Sequence, residues 1–295
     1  MRILFVADGR SQIALNWISY LIGQGCEVHL ATTYPCKPAL DFKSIHEIPV
    51  AFSEMAGSGE RASARGSLIR SVTTAGMRTR IRQMLGPATI KNGAEKLSAI
   101  AKKVKPDLVH AMRIPYEGMI AAQAELPCPL VVSVWGNDFT LHANSSRLMG
   151  RLTKHVLKKV DAVHADVQRD IKLARIWGLP EEVPTTVLPG GGGIQLDQFH
   201  PLSEEQWAAN RQVINPRGMR AYIRNDTFFN AIPLVLKKHP DVKFVCPDMA
   251  HEPDANKWVN DLGLADSVDL LPKQTRGEMA GLFQKLELKP DQVKV

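Results

Sequence analysis

The stretch MRILFVADGRSQIALNWISYLIGQGCEVHLAT, residues 1–32, decides the fold class. It begins with the apolar run RILFVA and passes through the polar turn DGRSQ. A segment with apolar residues at helical spacing follows, and the stretch ends in a second run, CEVHLAT. A strand, a helix and a second strand in this order predict a parallel βαβ unit. Gly23 and Gly25 are expected to end the helix.

The same alternation continues along the chain and predicts an α/β protein with a doubly wound parallel sheet. Further strand-like runs are SIHEIPV, PDLVHAM, CPLVVSVW, VDAVHAD and TTVLP. Four consecutive glycines then interrupt the pattern, and the segment after them is polar. We therefore predict an N-terminal Rossmann-like domain over residues 1–185, a linker over 186–203 and a second domain over 204–295.

The second domain repeats the alternation with only three strand-like runs, QVINPR, VKFVCP and SVDLLP. A Rossmann-like half usually has five or six strands. The second domain is therefore predicted to be incomplete.

The net charge of +7 is concentrated in one segment. Residues 61–105 contain eleven basic side chains and one acidic side chain. A solvated helical face is one interpretation, and peripheral contact with an anionic membrane surface is the other. The segment lacks aromatic residues that could stack on bases, so nucleic acid is not expected as a partner.

Several features favour a cytoplasmic protein. The basic segment extends this prediction to peripheral contact with the inner face of the membrane. No apolar run approaches the roughly 18 residues of a membrane span, and the N-terminus reads as a strand rather than a signal peptide. The four cysteines form no CxxC pair, which favours reduced thiols.

Polar residues that follow the predicted strands are the candidate site residues, because ligands of open α/β folds bind at the carboxyl ends of strands. Gly9 allows close approach of a ligand to the backbone, and Ser11 is placed to cap the first helix. Gly136, Asn137 and Asp138 follow a later strand, where a plain turn is the alternative interpretation.

The run DLVHAMRIPYEG supplies three further candidates. Arg113 and Glu117 lie beyond the strand end and are expected to contact a polar ligand. His110 lies inside the apolar strand, where a single histidine is more often a core residue than a catalytic one.

Three arginines, Arg217, Arg220 and Arg224, lie between the strand QVIN and a helix predicted from Asp226 to Lys238. Asn225 or Asp226 is expected to cap that helix, whose N-terminus favours an anion. Arg217 and Arg224 then offer forked donors to diphosphate oxygens. Surface arginines in a loop are the alternative.

Motifs for other chemistry are missing from the sequence. There is no G-x-G-x-x-G, no Walker A loop, no H-E-x-x-H, no G-x-S-x-G and no cysteine–histidine pair at zinc spacing. No tyrosine has a lysine four residues on, which argues against a single-domain Rossmann epimerase. We expect neither a cofactor nor a metal.

Together these segments resemble a family 4 (group 1) glycosyltransferase of GT-B fold. The resemblance rests on DGRSQIALNWISYLIGQGCEVHL, PDLVHAMRIPYEG, PLVVSVWGNDFT, VLPGGGGIQLDQFHP and the segments from NPRGMRAYIRNDTFF to MAGLFQ. It implies two Rossmann-like domains, the first on the acceptor side and the second binding a nucleotide-sugar. Met112, Trp135 and Arg224 depart from residues common in the family.

The resemblance implies transfer of a sugar from a UDP-, GDP- or ADP-linked donor to an unknown glycan or lipid acceptor, with retention and without a metal. Arg217, Arg224 and Gly9 would bind the donor diphosphate, and His110 and Asp138 are the catalytic candidates. Ser11, Arg113, Glu117, Gly136 and Asn137 would face the acceptor side of the cleft.

The family's E-x7-E segment, which contacts the donor, has no counterpart after Gln284. The resemblance therefore predicts a C-terminally truncated chain whose activity is uncertain. The alternative is a non-catalytic module of GT-B origin that binds a glycan or lipid or partners a complete subunit.

Overall fold

A computed structural model describes residues 1–50, 75–189, 196, 199, 203, 205, 211–220 and 223–284, with the backbone alone for residues 75–85, Arg276 and Gln284. The chain divides into two compact units. The first contains a seven-stranded parallel sheet and the second a three-stranded parallel sheet. The predicted α/β class is confirmed.

The strands of the first unit follow the predicted runs. They are β1 Arg2–Ala7, β2 Glu27–Thr32, β3 Ser44–Glu47, β4 Leu108–Ala111, β5 Leu130–Val134, β6 Ala162–Ala165 and β7 Thr185–Val187. Their order in the sheet is β3-β2-β1-β4-β5-β6-β7. Because β7 extends to Val187, the first two residues of the predicted linker belong to the sheet. Most of the remaining linker lies outside the described residues.

Helices cover this sheet because alternate strand residues point to opposite faces. The helices are α1 Gln12–Gly23, α2 Ala75–Val104, α3 Arg147–Lys159 and α4 Gln168–Ile176, with short helical turns at Ile114–Gly118, Met119–Ala121, Asp138–His142 and Ala143–Ser145. From β1, Leu4 and Val6 enter one buried cluster while Ile3 and Phe5 enter another. Because both faces of the sheet are buried against a core, most residues of these strands are apolar and not only every second one.

The second unit has the three strands and three helices that the sequence predicts. They are β8 Gln212–Ile214, β9 Lys243–Cys246, β10 Val268–Leu270, α5 Asn225–Leu236, α6 Pro253–Asp261 and α7 Arg276–Gln284. The strand order is β10-β9-β8. Phe229 is fully buried, and its ring lies 5.2 Å from that of Trp258. Residues 285–295, on which the predicted truncation bears, lie outside the described part of the chain.

Two further predictions concern membranes. None of the helices in the described ranges is long and apolar enough to cross one. Residues 61–74 of the basic segment are outside the described residues, and α2 contains the rest up to Val104. Peripheral membrane contact stays a prediction.

Candidate functional site

The carboxyl edge of the seven-stranded sheet brings together the site residues predicted in the first unit. Hydrogen bonds connect the loops after neighbouring strands: Gly9 N donates to Thr32 Oγ1 (3.1 Å), and Arg169 Nη2 donates to the Gly136 carbonyl (3.2 Å). Parallel strands deliver all these loops to one edge, where open α/β folds bind their ligands. We call this set of loops the carboxyl edge.

Asp138 ties the loops after β4 and β5 together. Its carboxylate accepts hydrogen bonds from the Ile114 N–H and the Trp135 N–H, both at 3.1 Å. The Arg113 guanidinium lies 3.4 Å away. Burial raises the pKa of Asp138, although Arg113 and the two backbone donors oppose the shift. The side chain is fully enclosed, so this placement gives it a structural role, and catalysis by Asp138 stays a prediction.

Arg113 is the partly accessible member of this group. Its guanidinium lies 5.4 Å from the centre of the Trp135 ring and contacts His142 Nε2 at 3.3 Å. Its Nε is buried and has no hydrogen-bond partner among the described residues. Because this donor is enclosed, the predicted contact of Arg113 with a polar ligand stays a prediction.

Glu117 has a structural position instead. It is 2% exposed and accepts hydrogen bonds from Thr33 Oγ1 at 2.7 Å and from the Tyr116 N–H at 2.8 Å. These bonds connect the segments that follow β2 and β4. Its predicted contact with a ligand stays a prediction.

The turn after β1 is built largely by its own residues. Ser11 caps α1 as predicted, because its hydroxyl accepts from the Ala14 N–H at 3.4 Å. A Cβ on Gly9 would lie 2.6 Å from Cys36 Sγ, so packing within the protein already requires glycine here. Asp8 accepts two hydrogen bonds from Arg10, each 3.0 Å long. Ligand contact at Gly9 stays a prediction.

Gly136 and Asn137 lie where β5 ends. Gly136 is exposed and Asn137 half-buried, and the loop closes when the Asp138 N–H donates to the Trp135 carbonyl at 2.8 Å. Across the edge, Arg169 donates to Asp170 Oδ1 from Nε at 3.0 Å and from Nη2 at 2.8 Å. The predicted turn is therefore present, and contact of Gly136 and Asn137 with a ligand stays a prediction.

His110 is a core residue of β4. It is 5% exposed, and its Nε2 lies 2.8 Å from Ser133 Oγ, which lies 2.9 Å from His164 Nδ1. Burial, followed by the nearby His164, lowers the pKa of His110 to about 3. The imidazole is thus held neutral inside the sheet, as the structural interpretation expects, and its catalytic role stays a prediction.

The second unit holds the three arginines in the loop between β8 and α5. Arg217 is exposed and makes no side-chain hydrogen bond or ion pair in the described part of the chain. Arg220 Nη1 lies 3.7 Å from Asp248 Oδ2. Arg224 donates two hydrogen bonds to Asp226, at 2.9 and 2.8 Å. Arg217 is therefore the uncompensated cation, whereas the charge of Arg224 is already paired.

The expected cap of α5 is wrong. The helix begins at Asn225 with Arg224 in the N-cap position, and no side chain caps it there. Asn225 is 1% exposed; it accepts from Asn215 Nδ2 at 2.9 Å and donates to the Gly218 carbonyl at 3.2 Å. Because Asn225 is buried, the oxygen and the nitrogen of its amide both need hydrogen-bond partners, and the residues of this loop supply them. Asn225 thereby fixes the loop that presents Arg217.

Comparisons with known proteins agree with this architecture. Residues 64–166 match the family described as Glycosyl transferase 4-like. The comparison with curated proteins found no match. Among solved structures, Anabaena Alr3699/HepE in complex with UDP and glucose is 14% identical with a TM-score of 0.61, covering 96% of this chain and 71% of that chain.

Two epimerases share the fold as well. UDP-N-acetylglucosamine 2-epimerase from Rickettsia bellii is 13% identical with a TM-score of 0.56, over 96% of this chain and 71% of that chain. The Neisseria meningitidis UDP-GlcNAc 2-epimerase bound to UDP-GlcNAc is 12% identical with a TM-score of 0.53, over 96% and 75%. At these identities the likeness shows the fold.

The parallel sheets and these neighbours define a GT-B-like protein. The match over residues 64–166, which covers less than half of the chain, confirms the predicted resemblance to family 4 glycosyltransferases.

Sequence reasoning missed the ion pairs of the carboxyl edge and the role of Asn225. Asp8 and Arg10 are two residues apart directly after a strand, which is a usable signal for a local pair. The Asn215–Asn225 bond gives no such signal, because its partners are separated by a loop whose path the sequence does not specify. Among the described residues no cluster of three or more His, Cys, Asp or Glu side chains is arranged to hold a metal ion.

Proposed function

We propose that this protein is a glycosyltransferase of hexosyltransferase type, which moves a sugar from a nucleotide-sugar to an acceptor hydroxyl with retention and without a metal. The family match over residues 64–166 favours a transferase. Neighbours of the same fold were solved with UDP or UDP-glucose, which favours a uridine donor over GDP or ADP donors. The observation that carries the proposal is Arg217 after β8, which is exposed and has no ion-pair partner among the residues that the structure describes.

The role of Arg217 is electrostatic. As the bond between sugar and phosphate breaks, negative charge accumulates on the leaving diphosphate. A guanidinium without an internal carboxylate can offer its forked donors to phosphate oxygens without first giving up another partner. Arg224 must leave Asp226 to do the same, so it contributes less than Arg217.

Calorimetric titration with UDP tests this assignment. Arg217→Ala should weaken UDP binding by about tenfold or more, because a hydrogen bond to a charged group contributes about 1.5–3 kcal/mol. Arg224→Ala should have a smaller effect. Arg211→Ala is the matched control: it removes the same charge from an exposed arginine that precedes β8 and is paired with Asp241 at 3.1 Å. Unchanged UDP affinity in Arg217→Ala would refute the assignment.

Product analysis distinguishes the transferase from its two rivals. Incubation with UDP-glucose, with and without EDTA, should release UDP equally in both cases and leave the sugar on an acceptor or on water with its anomeric configuration retained. A sugar that is altered but still linked to UDP would favour an epimerase, the activity named for two neighbours of this fold. UDP-glucose binding without turnover would favour the non-catalytic module.

A further inference from the structure

The three arginines of the carboxyl edge differ from Arg217 in one respect: each has a carboxylate partner. Arg10 makes two hydrogen bonds to Asp8, each 3.0 Å long. Arg169 makes two to Asp170, and Arg113 lies 3.4 Å from Asp138. A phosphate at this edge would have to displace a carboxylate from an existing charged pair. The ion pairs therefore oppose the binding of anions.

The charge balance of the edge leads to the same conclusion. Its three guanidinium groups lie among at least four carboxylates, those of Asp8, Glu117, Asp138 and Asp170. The edge therefore has no excess positive charge to attract an anionic ligand.

Hydrogen-bond donors and an acceptor at the same edge have no partner among the described residues. The donors are the buried Trp135 Nε1 and Arg113 Nε, and the acceptor is the buried Asp170 Oδ2. The carboxylate of Asp170 is 1% exposed, and its Oδ2 would lie 3.9 Å from a Cβ on Gly136. The Asn137 amide makes no side-chain hydrogen bond within the described residues.

These neighbouring donors and acceptors match one kind of ligand group. A hydroxyl both donates and accepts, whereas a phosphate oxygen at neutral pH mainly accepts. The half-buried Asn137 amide offers both a donor and an acceptor to a ligand hydroxyl. The atoms of Arg113, Trp135 and Asp170 are enclosed, so they reach a ligand only after their side chains turn toward it. A phosphate can use the donors alone.

We propose that the carboxyl edge binds a neutral, hydroxyl-rich saccharide as the acceptor, rather than the phosphate headgroup of a lipid. The inference rests on the proposed transferase function and narrows its acceptor. The two units then differ by charge compensation: the loop after β8 offers a free cation for an anionic donor, and the carboxyl edge offers ion pairs for a neutral acceptor.

Saturation-transfer NMR provides the test. The probes are methyl glycosides of glucose, mannose and N-acetylglucosamine, compared with methyl phosphate and glycerol 3-phosphate. The full-length Arg217→Ala protein is used, so that phosphate signals do not arise from the loop after β8. We expect at least one glycoside to bind with a dissociation constant of about 1–10 mM, and Asn137→Ala to weaken that binding several-fold. The two phosphates should give no signal.

A gain-of-function variant separates the charge argument from a loss of folding. Asp8→Ala removes the carboxylate partner of Arg10, whose guanidinium still lies 3.5 Å from the centre of the Tyr34 ring, and should create phosphate binding that the parent protein lacks. Asp41→Ala changes the net charge equally at an exposed residue that precedes β3, and it should create none. If Asp8→Ala gains no phosphate affinity over Asp41→Ala, the ion pairs do not decide the ligand.

Each of the remaining outcomes would refute either the saccharide acceptor or the proposed transferase. Phosphate binding without glycoside binding would overturn the proposal in favour of a phospholipid acceptor. No glycoside binding up to about 50 mM, with UDP still bound by the wild-type protein, would overturn the saccharide assignment while leaving the donor site intact. Glycoside binding without UDP binding would refute the proposed transferase and keep the saccharide site.

Discussion

Acidification is expected to destabilise the seven-stranded unit through His110. In the folded protein, burial first and His164 second lower its pKa from 6.5 to about 3. The unfolded chain therefore binds a proton at His110 more readily than the folded chain does. The folded state loses stability as the pH falls from 6.5 towards 3. Between about pH 8 and about pH 5, the linkage relation gives a loss of about 2 kcal/mol in the free energy of unfolding.

The assay must report on the first unit by itself, because two units need not unfold together. Hydrogen exchange of a peptide that covers β4, measured over a urea series at each pH, isolates the local free energy of unfolding. His110→Asn removes the titrating group, and the comparison rests on the pH slope rather than on absolute stability. His239→Asn, an exposed histidine just after α5, is the matched control and should keep the wild-type slope.

Two results would refute this reasoning. Wild type and His110→Asn could lose the same free energy on acidification, in which case other groups carry the acid sensitivity. Alternatively, the ring proton of His110 in the native protein could titrate near its ordinary pKa, in which case the imidazole is not desolvated.

Three further substitutions test packing inside the two units. Gly9→Ala should lower the free energy of unfolding in urea by about 1–3 kcal/mol, because the new Cβ would lie 2.6 Å from Cys36 Sγ. Adding Cys36→Ala to this variant should recover at least half of the loss. A loss that persists in full would contradict the clash. Thr33→Val removes a 2.7 Å hydrogen bond to the buried Glu117 and should cost about 1.5–3 kcal/mol in the same assay, whereas Thr33→Ser should stay near wild type. Phe229→Ala should cost about 3–5 kcal/mol and lower the exchange protection of β9 while leaving β4 unchanged; equal loss at β4 would show that the units are coupled.

The elements of secondary structure were predictable because their signals are local. RILFVA reads as a strand and becomes β1, and the spaced apolar residues after Ser11 become α1 with that serine as its cap. Boundaries were less accurate: the helix expected from Asp226 to Lys238 spans Asn225–Leu236.

The positions of the candidate residues were predictable, whereas their function stays a prediction. Strand ends identified Arg113 and Asp138 in the first sheet and Arg217 in the second, because each parallel sheet collects the loops after its strands at one edge. The sequence could not distinguish an exposed Arg217 from the buried Asp138, since burial depends on how distant segments pack. Domain boundaries, individual site roles and the absence of a cofactor remain predictions.

The sequence by itself determined the alternation of strands and helices and the family resemblance, because periodicity and motif order are properties of the chain. Only the tertiary structure decided which charges are compensated. Arg224 meets Asp226 and Arg10 meets Asp8 within two residues, but Arg113 meets Asp138 only where the neighbouring strands β4 and β5 end. Thr33 meets Glu117 although β1 lies between their strands in the sheet. Ion pairing falls off within a few ångströms, so the charge that a site offers to a ligand is set by three-dimensional distance and not by composition.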